Sequence, residues 1–158
     1  LNYFLVAHSS STIVASADIL LNLTLTLNNT LLLKNPDREI ADQVSTDNPA
    51  VGKSYGRKWS STTLNYTEDF EAQNPTPRVQ NQNSEIGEGG GEEESLSVVI
   101  NETAWMGTGA NSADEWIELY NNTTSTIDLT GWTLSAADGI PLITFATSTI
   151  IAQSYFLL

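Results

Sequence analysis

The feature that most constrains this chain is a two-residue rhythm of apolar side chains in its first third. Leucines at positions 21, 23, 25 and 27 alternate with Asn and Thr, which is the period of a strand with one buried face. Elsewhere, short runs of β-branched and aromatic residues are separated by clusters of turn residues, and helical periodicity is nearly absent. The sequence therefore predicts an all-β fold, with 40% hydrophobic residues to form its core.

The first half of the chain is predicted to hold strands at NYFLVAHS, in a meander over residues 17–45, and at KSYGRKW. Within the meander, Asn28-Asn29 and Pro36-Asp37 are residue pairs that favour turns. Residues 60–80 are polar, and we expect a loop there.

The second half contains five strand candidates: LSVVINETAW, EWIELYN, STIDLTGWTLS, PLITFA and TIIAQSYFLL. Because EWIELYN alternates, we expect Trp116, Glu118 and Tyr120 on one face of its strand and the aliphatic residues on the other. A turn is predicted at 137–139, and Gly131 indicates a bulge or a close backbone approach.

Charge is distributed unevenly along the chain, whose formal net charge is −13. All six basic residues lie within residues 1–80, whereas residues 81–158 hold eleven acidic residues and no Lys or Arg. Residues 81–96 combine Gly, Glu, Asn, Gln and Ser and are predicted to be an acidic linker. Binding to phosphate backbones needs clustered Lys and Arg, so we do not expect nucleic acid as a partner.

Cysteine is absent, which excludes a disulfide framework and a Cys-ligated zinc site. The one long uncharged stretch, residues 139–158, contains Pro141 and several Thr, Ser and Gln residues. Two strands explain it better than a spanning helix does, so we expect no membrane span.

Two similar sequence segments lie at the ends of the chain: LNYFLV at residues 1–6 and AQSYFLL at residues 152–158. Such a recurrence is typical of tandem copies of one module. We interpret the chain as a stretch that begins partway through one copy and stops at the matching point of the next.

Three phrases of the second half resemble the opening half of the lamin-tail domain in its bacterial form. They are VVINETAWMG at residues 98–107, EWIELYN at residues 115–121 and DLTGWTL at residues 128–134, in the order and spacing of that family. YFLL is similar to a mid-domain strand of the family, and residues 1–80 resemble its closing half. The resemblance implies an immunoglobulin-like β-sandwich.

The resemblance also divides the chain into parts. Residues 1–80 correspond to the C-terminal half of one lamin-tail-like module, residues 81–96 to the linker, and residues 97–158 to the N-terminal half of the next module. The halves together amount to about one domain in swapped order, so they can close on each other as a circularly permuted sandwich. Alternatively, they complete each other between chains as a domain-swapped dimer. In the closed form, Tyr3-Phe4-Leu5 and Tyr155-Phe156-Leu157 would compete for one strand position.

Residues with catalytic potential are few. His8 is the only histidine, and no Gly-x-Ser-x-Gly elbow accompanies the Ser run that follows it. Glu102, Asp114, Glu115 and Glu118 are the acids that could form a paired-carboxylate site. Because Glu115 and Glu118 would face opposite sides of a strand, and because Glu102 and Glu118 are better explained as hydrogen-bond partners of local backbone, we predict that the chain is not an enzyme.

Binding residues are equally sparse. The loops at 107–115 and 136–139 carry acids that could approach a calcium ion, but neither has the spacing of a calcium loop, so we assign no metal ligand and no cofactor. The four tryptophans are expected mainly in the core. If one is exposed, it is expected to be Trp105, beside the Met106-Gly107 loop, as a sugar or partner contact.

The resemblance implies a non-catalytic module of a longer, repeated bacterial protein, located outside the cell or at its surface. Its expected role is adhesion, scaffolding or tethering, with an unidentified protein or surface glycan as partner. The alternative is a carbohydrate- or other ligand-binding accessory module attached to a hydrolase, which an exposed tryptophan beside a groove would favour.

Overall fold

The computed structural model describes residues 6–8, 10, 19–21, 25, 28–46, 50–58, 69–79, 81, 96–152 and 154–157. Sequence features elsewhere lie outside the described residues, among them Tyr3-Phe4-Leu5, Trp59 and nearly all of the acidic linker. Every regular element in the described part is a β-strand, so the predicted all-β class is confirmed. None of the described segments is a helix long and apolar enough to cross a membrane.

The strands in the described ranges are, in chain order, β1 (Val6–His8), β2 (Ile19–Leu21), β3 (Asn29–Lys34), β4 (Ile40–Thr46), β5 (Ser54–Arg57), β6 (Phe70–Gln73), β7 (Val98–Ala104), β8 (Trp116–Asn121), β9 (Ile127–Asp128), β10 (Thr133–Ala136), β11 (Leu142–Thr144), β12 (Thr149–Ile150) and β13 (Ser154–Leu157).

These strands form three sheets. The large sheet has the order β2-β1-β8-β7-β5-β6, with β13 as a further partner of β8. A four-stranded sheet has the order β11-β10-β3-β4, and β9 pairs with β12. The pair of β1 and β2 is parallel, and the other pairs among the described strands are antiparallel.

Strands from the two halves of the chain are neighbours in both main sheets. In the large sheet, β5 pairs with β7 and β1 pairs with β8. In the four-stranded sheet, β3 pairs with β10 in a register that runs from Leu31↔Ala136 to Lys34↔Thr133. The described parts of residues 1–80 and 97–158 therefore build one sandwich within a single chain. How this order relates to that of a complete module stays a prediction.

The core lies between the two main sheets. Strand β3 alternates, so Leu31 and Leu33 face inward and are fully buried. From the large sheet, Ile117 and Leu119 enter the same cluster, while Trp116 is buried outside it. This is the division of faces that the alternation in EWIELYN predicts. The result is an immunoglobulin-like sandwich, as expected.

Turns occur where the sequence predicts them. Asn28 has a φ of 54° and immediately precedes β3, and a turn over Pro36-Asp37 joins β3 to β4. The hairpin from β10 to β11 turns through Gly139, whose φ of 91° is readily adopted by glycine. The amide of Asn35 donates to the Glu39 carbonyl at 3.0 Å and closes the β3–β4 turn.

Two further predictions need correction. Residues 60–80 are not all loop, because β6 pairs with β5 along its whole length. This strand is short and mostly polar, so no alternation marks it. Gly131 makes no bulge: it lies in a turn with a φ of 82°, near the Pro36 ring. The register irregularities instead fall between Leu33 and Lys34 and between Ile100 and Glu102.

Candidate functional site

Trp105 is buried, in agreement with the expectation that the tryptophans lie mainly in the core, and the condition under which it was named as a sugar or partner contact is not met. Its side chain is 1% exposed and belongs to the core, because it directly follows β7, a strand that is buried at every position. Trp116 and Trp132 are buried as well. The described tryptophans thus offer no exposed indole for stacking on a sugar.

The bulge in β7 brings two carboxylates face to face. Ile100 pairs with Leu119, and the next pair is Glu102 with Glu118, so Asn101 is the extra residue. Because Leu119 points into the core, Glu118 points to the opposite face of the large sheet. The extra residue turns Glu102 to that same face. Both carboxylates are fully buried.

The two glutamates hold a proline-rich segment, residues 74–79, against the sheet. Glu102 Oε1 accepts the backbone N–H of Thr76 at 2.9 Å, and its Oε2 accepts the Thr76 hydroxyl at 2.9 Å. Glu118 Oε2 accepts the backbone N–H of Arg78 at 2.7 Å. The alternating prolines 75 and 77 have no N–H to donate. The two glutamates thus satisfy the backbone N–H groups of the two residues that each follow a proline.

Further polar side chains complete this carboxylate cluster. The Ser54 hydroxyl donates to Glu102 Oε1 at 2.5 Å, and Asn101 Nδ2 donates to Glu118 Oε1 at 2.5 Å. Glu102 and Glu118 therefore do hydrogen-bond backbone, as predicted, but that backbone belongs to a segment distant in sequence. The cluster, comprising Ser54, Glu102, Glu118, Asn101 and the clamped segment, joins strands of both halves.

Asn81 lies just after the clamped segment. This residue begins the predicted linker, and it is only 3% exposed. Its Nδ2 donates to the carbonyl oxygens of Arg57 and Asn101, each at 3.0 Å, and its Oδ1 accepts from Gln73 Nε2 at 3.0 Å. Asn81 thereby ties β5 to the bulge of β7.

A buried ion pair connects the two main sheets. Arg57 on β5 donates through Nη2 to Asp42 Oδ2 on β4 at 2.6 Å, and the same oxygen accepts the Ile100 N–H at 2.7 Å. Arg57 Nε donates to the Ile100 carbonyl at 3.0 Å. Its guanidinium also lies 4.5 Å from the centre of the Phe70 ring and 3.3 Å from Asp69. The ion pair therefore satisfies backbone groups beside the bulge.

Burial changes the protonation of these acids. It raises the pKa of Glu118 to about 8, with the Glu102 charge adding to the shift and hydrogen bonds from Arg78 and Asn101 opposing it. Burial also raises the pKa of Glu102, against hydrogen bonds led by that of Ser54. A buried carboxyl group prefers its neutral form because charge is poorly solvated there.

The other two acid candidates have separate partners. Asp114 accepts the Thr108 hydroxyl at 2.7 Å within the loop that precedes β8. Glu115 accepts the Leu25 N–H at 3.1 Å, and burial raises its pKa to about 7. The structure thus brings together Glu102 and Glu118 only. Their carboxylate oxygens contact the chain's own groups and have no exposed surface, an arrangement suited to holding the fold together.

The described ranges contain no assembled metal site. No group of three His, Cys, Asp or Glu residues there is placed to hold an ion. In the loop at 107–115, which was considered for calcium, Thr108 and Asn111 donate hydrogen bonds to the Asp114 carboxylate. His8 lies on β1, but its side chain is outside what the structure describes.

Sequence reasoning missed Asp42, Arg57 and Asn81. Asp42 could have been found, because it shares the phase of the buried Val44 two positions along the strand, and an acid on the apolar face of a strand needs a buried partner. No comparable signal marks Asn81, because the residues that follow it are the polar residues typical of a linker. Its role depends on contacts with Arg57 and Asn101, which are distant in sequence.

The fold and the carboxylate cluster together define an all-β, immunoglobulin-like sandwich whose buried acids hold its own chain in place. Residues 92–158 match the family model described as Lamin Tail Domain. This match is consistent with a lamin-tail domain in that part of the chain, and it confirms the resemblance seen in the second half. Residues 1–80 lie outside the matched range, so their assignment and the tandem arrangement stay predictions. No curated protein and no solved structure matches the chain significantly.

Proposed function

We propose that the chain is a non-catalytic interaction module that tethers or scaffolds a partner protein at the surface of a bacterial cell. The observation that carries this proposal is the carboxylate cluster. Glu102 and Glu118, the paired acids of the chain, use their oxygens to bind the chain's own amides. The two carboxyl groups therefore stabilise the fold, as a binding scaffold requires.

The surface that suits a partner is the β11 edge, which we define as β11 with Ile140. Strand β11 is at one end of the four-stranded sheet. Leu142 is 65% exposed and Ile140 is 71% exposed. An edge strand with apolar side chains can pair with a strand of another protein, since its backbone groups are available and its side chains bury area.

Binding to bacterial cells tests this function. Fluorescent chain is titrated onto fixed cells that have been left untreated, digested with protease, or oxidised with periodate to destroy sugars. We expect saturable binding that protease removes and periodate leaves intact. Absence of saturable binding to any of the cells would overturn the proposed adhesion.

A matched pair of variants tests the surface. Ile140→Asn with Leu142→Thr should weaken binding by about thirtyfold, because roughly 1 kcal/mol of apolar burial is lost at each of the two residues. Val51→Thr removes a similarly exposed residue from the turn before β5 and should leave binding unchanged. Equal effects of both changes would argue against the β11 edge.

The carbohydrate-binding alternative now has less support. It depended on an exposed tryptophan, and the described tryptophans are all buried. Binding that periodate abolishes and protease leaves intact would nevertheless favour it over a protein partner.

A further inference from the structure

Three buried side chains of different chemistry meet at the end of β6: the Gln73 amide, the Thr76 hydroxyl and the Glu102 carboxyl group. The Thr76 hydroxyl donates to Glu102 Oε2 at 2.9 Å, and Gln73 Nε2 donates to the same hydroxyl at 2.9 Å. The Gln73 side chain also donates to Glu102. Each member of this trio is therefore hydrogen-bonded to the other two.

The trio combines a nucleophile, a base and an electrophile. A threonine hydroxyl becomes a nucleophile when an adjacent base takes its proton, and Glu102 Oε2 is in position to take it. The carbon of the Gln73 amide can accept the attack, with ammonia as the leaving group. Because Glu102 also contacts the Gln73 side chain, the same carboxyl group can pass the proton on to the departing nitrogen.

The surroundings of Glu102 suit it to act as a base. Burial raises its pKa, and hydrogen bonds led by that of Ser54 oppose the shift by favouring the charged form. The neighbours thus donate to the carboxylate, which is the form that accepts a proton. Once ionised, a carboxylate with a raised pKa takes the hydroxyl proton more readily than an ordinary one does.

The Gln73 amide is placed close to the Thr76 oxygen. Its Nε2 donates to Asn81 Oδ1 at 3.0 Å, and it lies against Gly56, where a Cβ would clash with both Nε2 and Cδ. With Nε2 at 2.9 Å from the hydroxyl, the amide carbon lies roughly 3.4–3.8 Å from it. Bonds form from about 3–3.5 Å. The last side-chain torsion of Gln is soft, so a rotation of the amide can close the remaining distance.

Water has little access to this trio. Glu102 is fully buried, and Gln73 and Thr76 are 5% and 8% exposed. Since water hydrolyses esters, burial would protect a cross-link once it has formed. The two reacting residues lie three positions apart on one chain, so the reaction is intramolecular and carries no cost of bringing two molecules together. Ammonia, once released, is diluted into solvent, which opposes the reverse step.

We propose that Gln73 and Thr76 form an intramolecular ester cross-link, with Glu102 as the base. Thr76 Oγ1 forms a bond to Gln73 Cδ, the Cδ–Nε2 bond breaks, and the hydroxyl proton passes through Glu102 to the leaving nitrogen. One ammonia is released, nothing is oxidised or reduced, and Glu102 ends unchanged. The step occurs once per chain, so it is a self-modification and not enzymatic turnover. It does not depend on the proposed function.

Intact-mass spectrometry of the folded chain tests this proposal. The chain is incubated at pH 8, where more of Glu102 is ionised, and tryptophan fluorescence verifies that it stays folded. We expect a mass lower by about 17 Da, that of one ammonia, with tandem spectra that place the loss within residues 73–76. A folded chain of full mass overturns the proposal. So does a gain of about 1 Da at Gln73, because water and not Thr76 would then have attacked the amide.

Hydroxylamine identifies the bond, because it cleaves esters and leaves ordinary amides intact. Added after unfolding in urea, it should open the cross-link and leave a hydroxamate at Gln73. A cross-link that resists it would not be an ester, and the proposal would fail.

Variants assign the roles. Thr76→Ser keeps a hydroxyl and should retain the mass loss, whereas Thr76→Val has a similar size without the hydroxyl and should show none. Glu102→Gln cannot take the proton and should slow the reaction by about a hundredfold or more. Thr108→Val is the matched control, since it removes a hydroxyl that donates to a different carboxylate, Asp114, and should keep the full loss. A mass loss at residues 73–76 in folded Thr76→Val would overturn the proposal.

Discussion

Glu102 and Glu118 lie directly opposite each other on β7 and β8, fully buried, and each accepts one backbone N–H from the same proline-rich segment. Two carboxylates so close in a protein interior cannot both be charged without cost. Burial is the main cause of the raised pKa of Glu118, and the nearby charge of Glu102 adds to it. The position of the two glutamates also makes the closing segment of the first half dependent on strands of the second half.

Stability should fall as the pH rises from about 5 to about 8. The carboxyl group of Glu118 has an ordinary pKa of 4.5 and a pKa of about 8 in the folded chain, so the folded state binds its proton more tightly. Its stabilisation is complete below pH 4.5 and is lost as the pH rises through 8. In this window the free energy of unfolding should fall by about 1.4 kcal/mol per pH unit for this one proton, as measured by urea unfolding.

Glu118→Gln is the control for that pH dependence. The amide keeps an oxygen for the Arg78 N–H but cannot titrate. The slope between pH 5 and 8 should become smaller by about the contribution of one proton. The acids whose pKa values burial also raises, Glu115, Glu102 and Asp42, account for what remains. An unchanged slope would assign the effect to other groups.

Loss of Arg57 should be among the most damaging single changes. Arg57→Met leaves Asp42 buried without its counter-charge and should cost about 3–5 kcal/mol. Adding Asp42→Asn should recover part of that loss, because the uncompensated charge is then absent. Lys53→Met, which removes an exposed hydrogen bond to Asn74, should change stability by less than about 0.5 kcal/mol. Additive effects of the Arg57 and Asp42 changes in urea unfolding would contradict the coupling.

A methyl group at Gly56 should destabilise the sandwich. A Cβ there would lie 2.3 Å from Gln73 Nε2 and 2.9 Å from Asn81 Cγ, and both side chains are held by buried hydrogen bonds. We expect Gly56→Ala to cost about 1–3 kcal/mol. Gly109→Ala is the matched control, since nothing lies within 4 Å of a Cβ at that position. Equal melting temperatures for the two variants would show that the Gln73 and Asn81 side chains can move to accommodate the methyl group.

The two halves should unfold as one unit. Without residues 1–80, β10 loses β3 and β7 loses β5, which exposes core leucines such as Leu134. We therefore expect residues 97–158 alone to show no cooperative transition in tryptophan fluorescence, whereas the full chain shows a single one. A cooperative transition in the shorter chain would mean that the halves are independent.

Most strands were predictable because the signals that define them are local. Alternation marks EWIELYN, a run of apolar residues marks β3, and turn residues mark the bends at Pro36-Asp37 and Gly139. Strand β6 was missed because its four mostly polar residues are too few to show a periodicity. It forms because its backbone pairs with the edge of β5. Asp42 was readable from its phase in β4, whereas its partner Arg57 was not, since nothing nearby in sequence indicates which cation will reach it.

The sequence alone determined the all-β class, the resemblance of the second half to the lamin-tail family and the repeated Tyr-Phe-Leu segment, because periodicity, turn chemistry and motif spacing are properties of neighbouring residues. Only the tertiary structure decided that β3 pairs with β10, that Trp105 is buried, and that Glu102 meets Glu118. Those outcomes depend on one extra residue in β7 and on which strands compete for an edge, and both are settled by contacts between residues far apart along the chain.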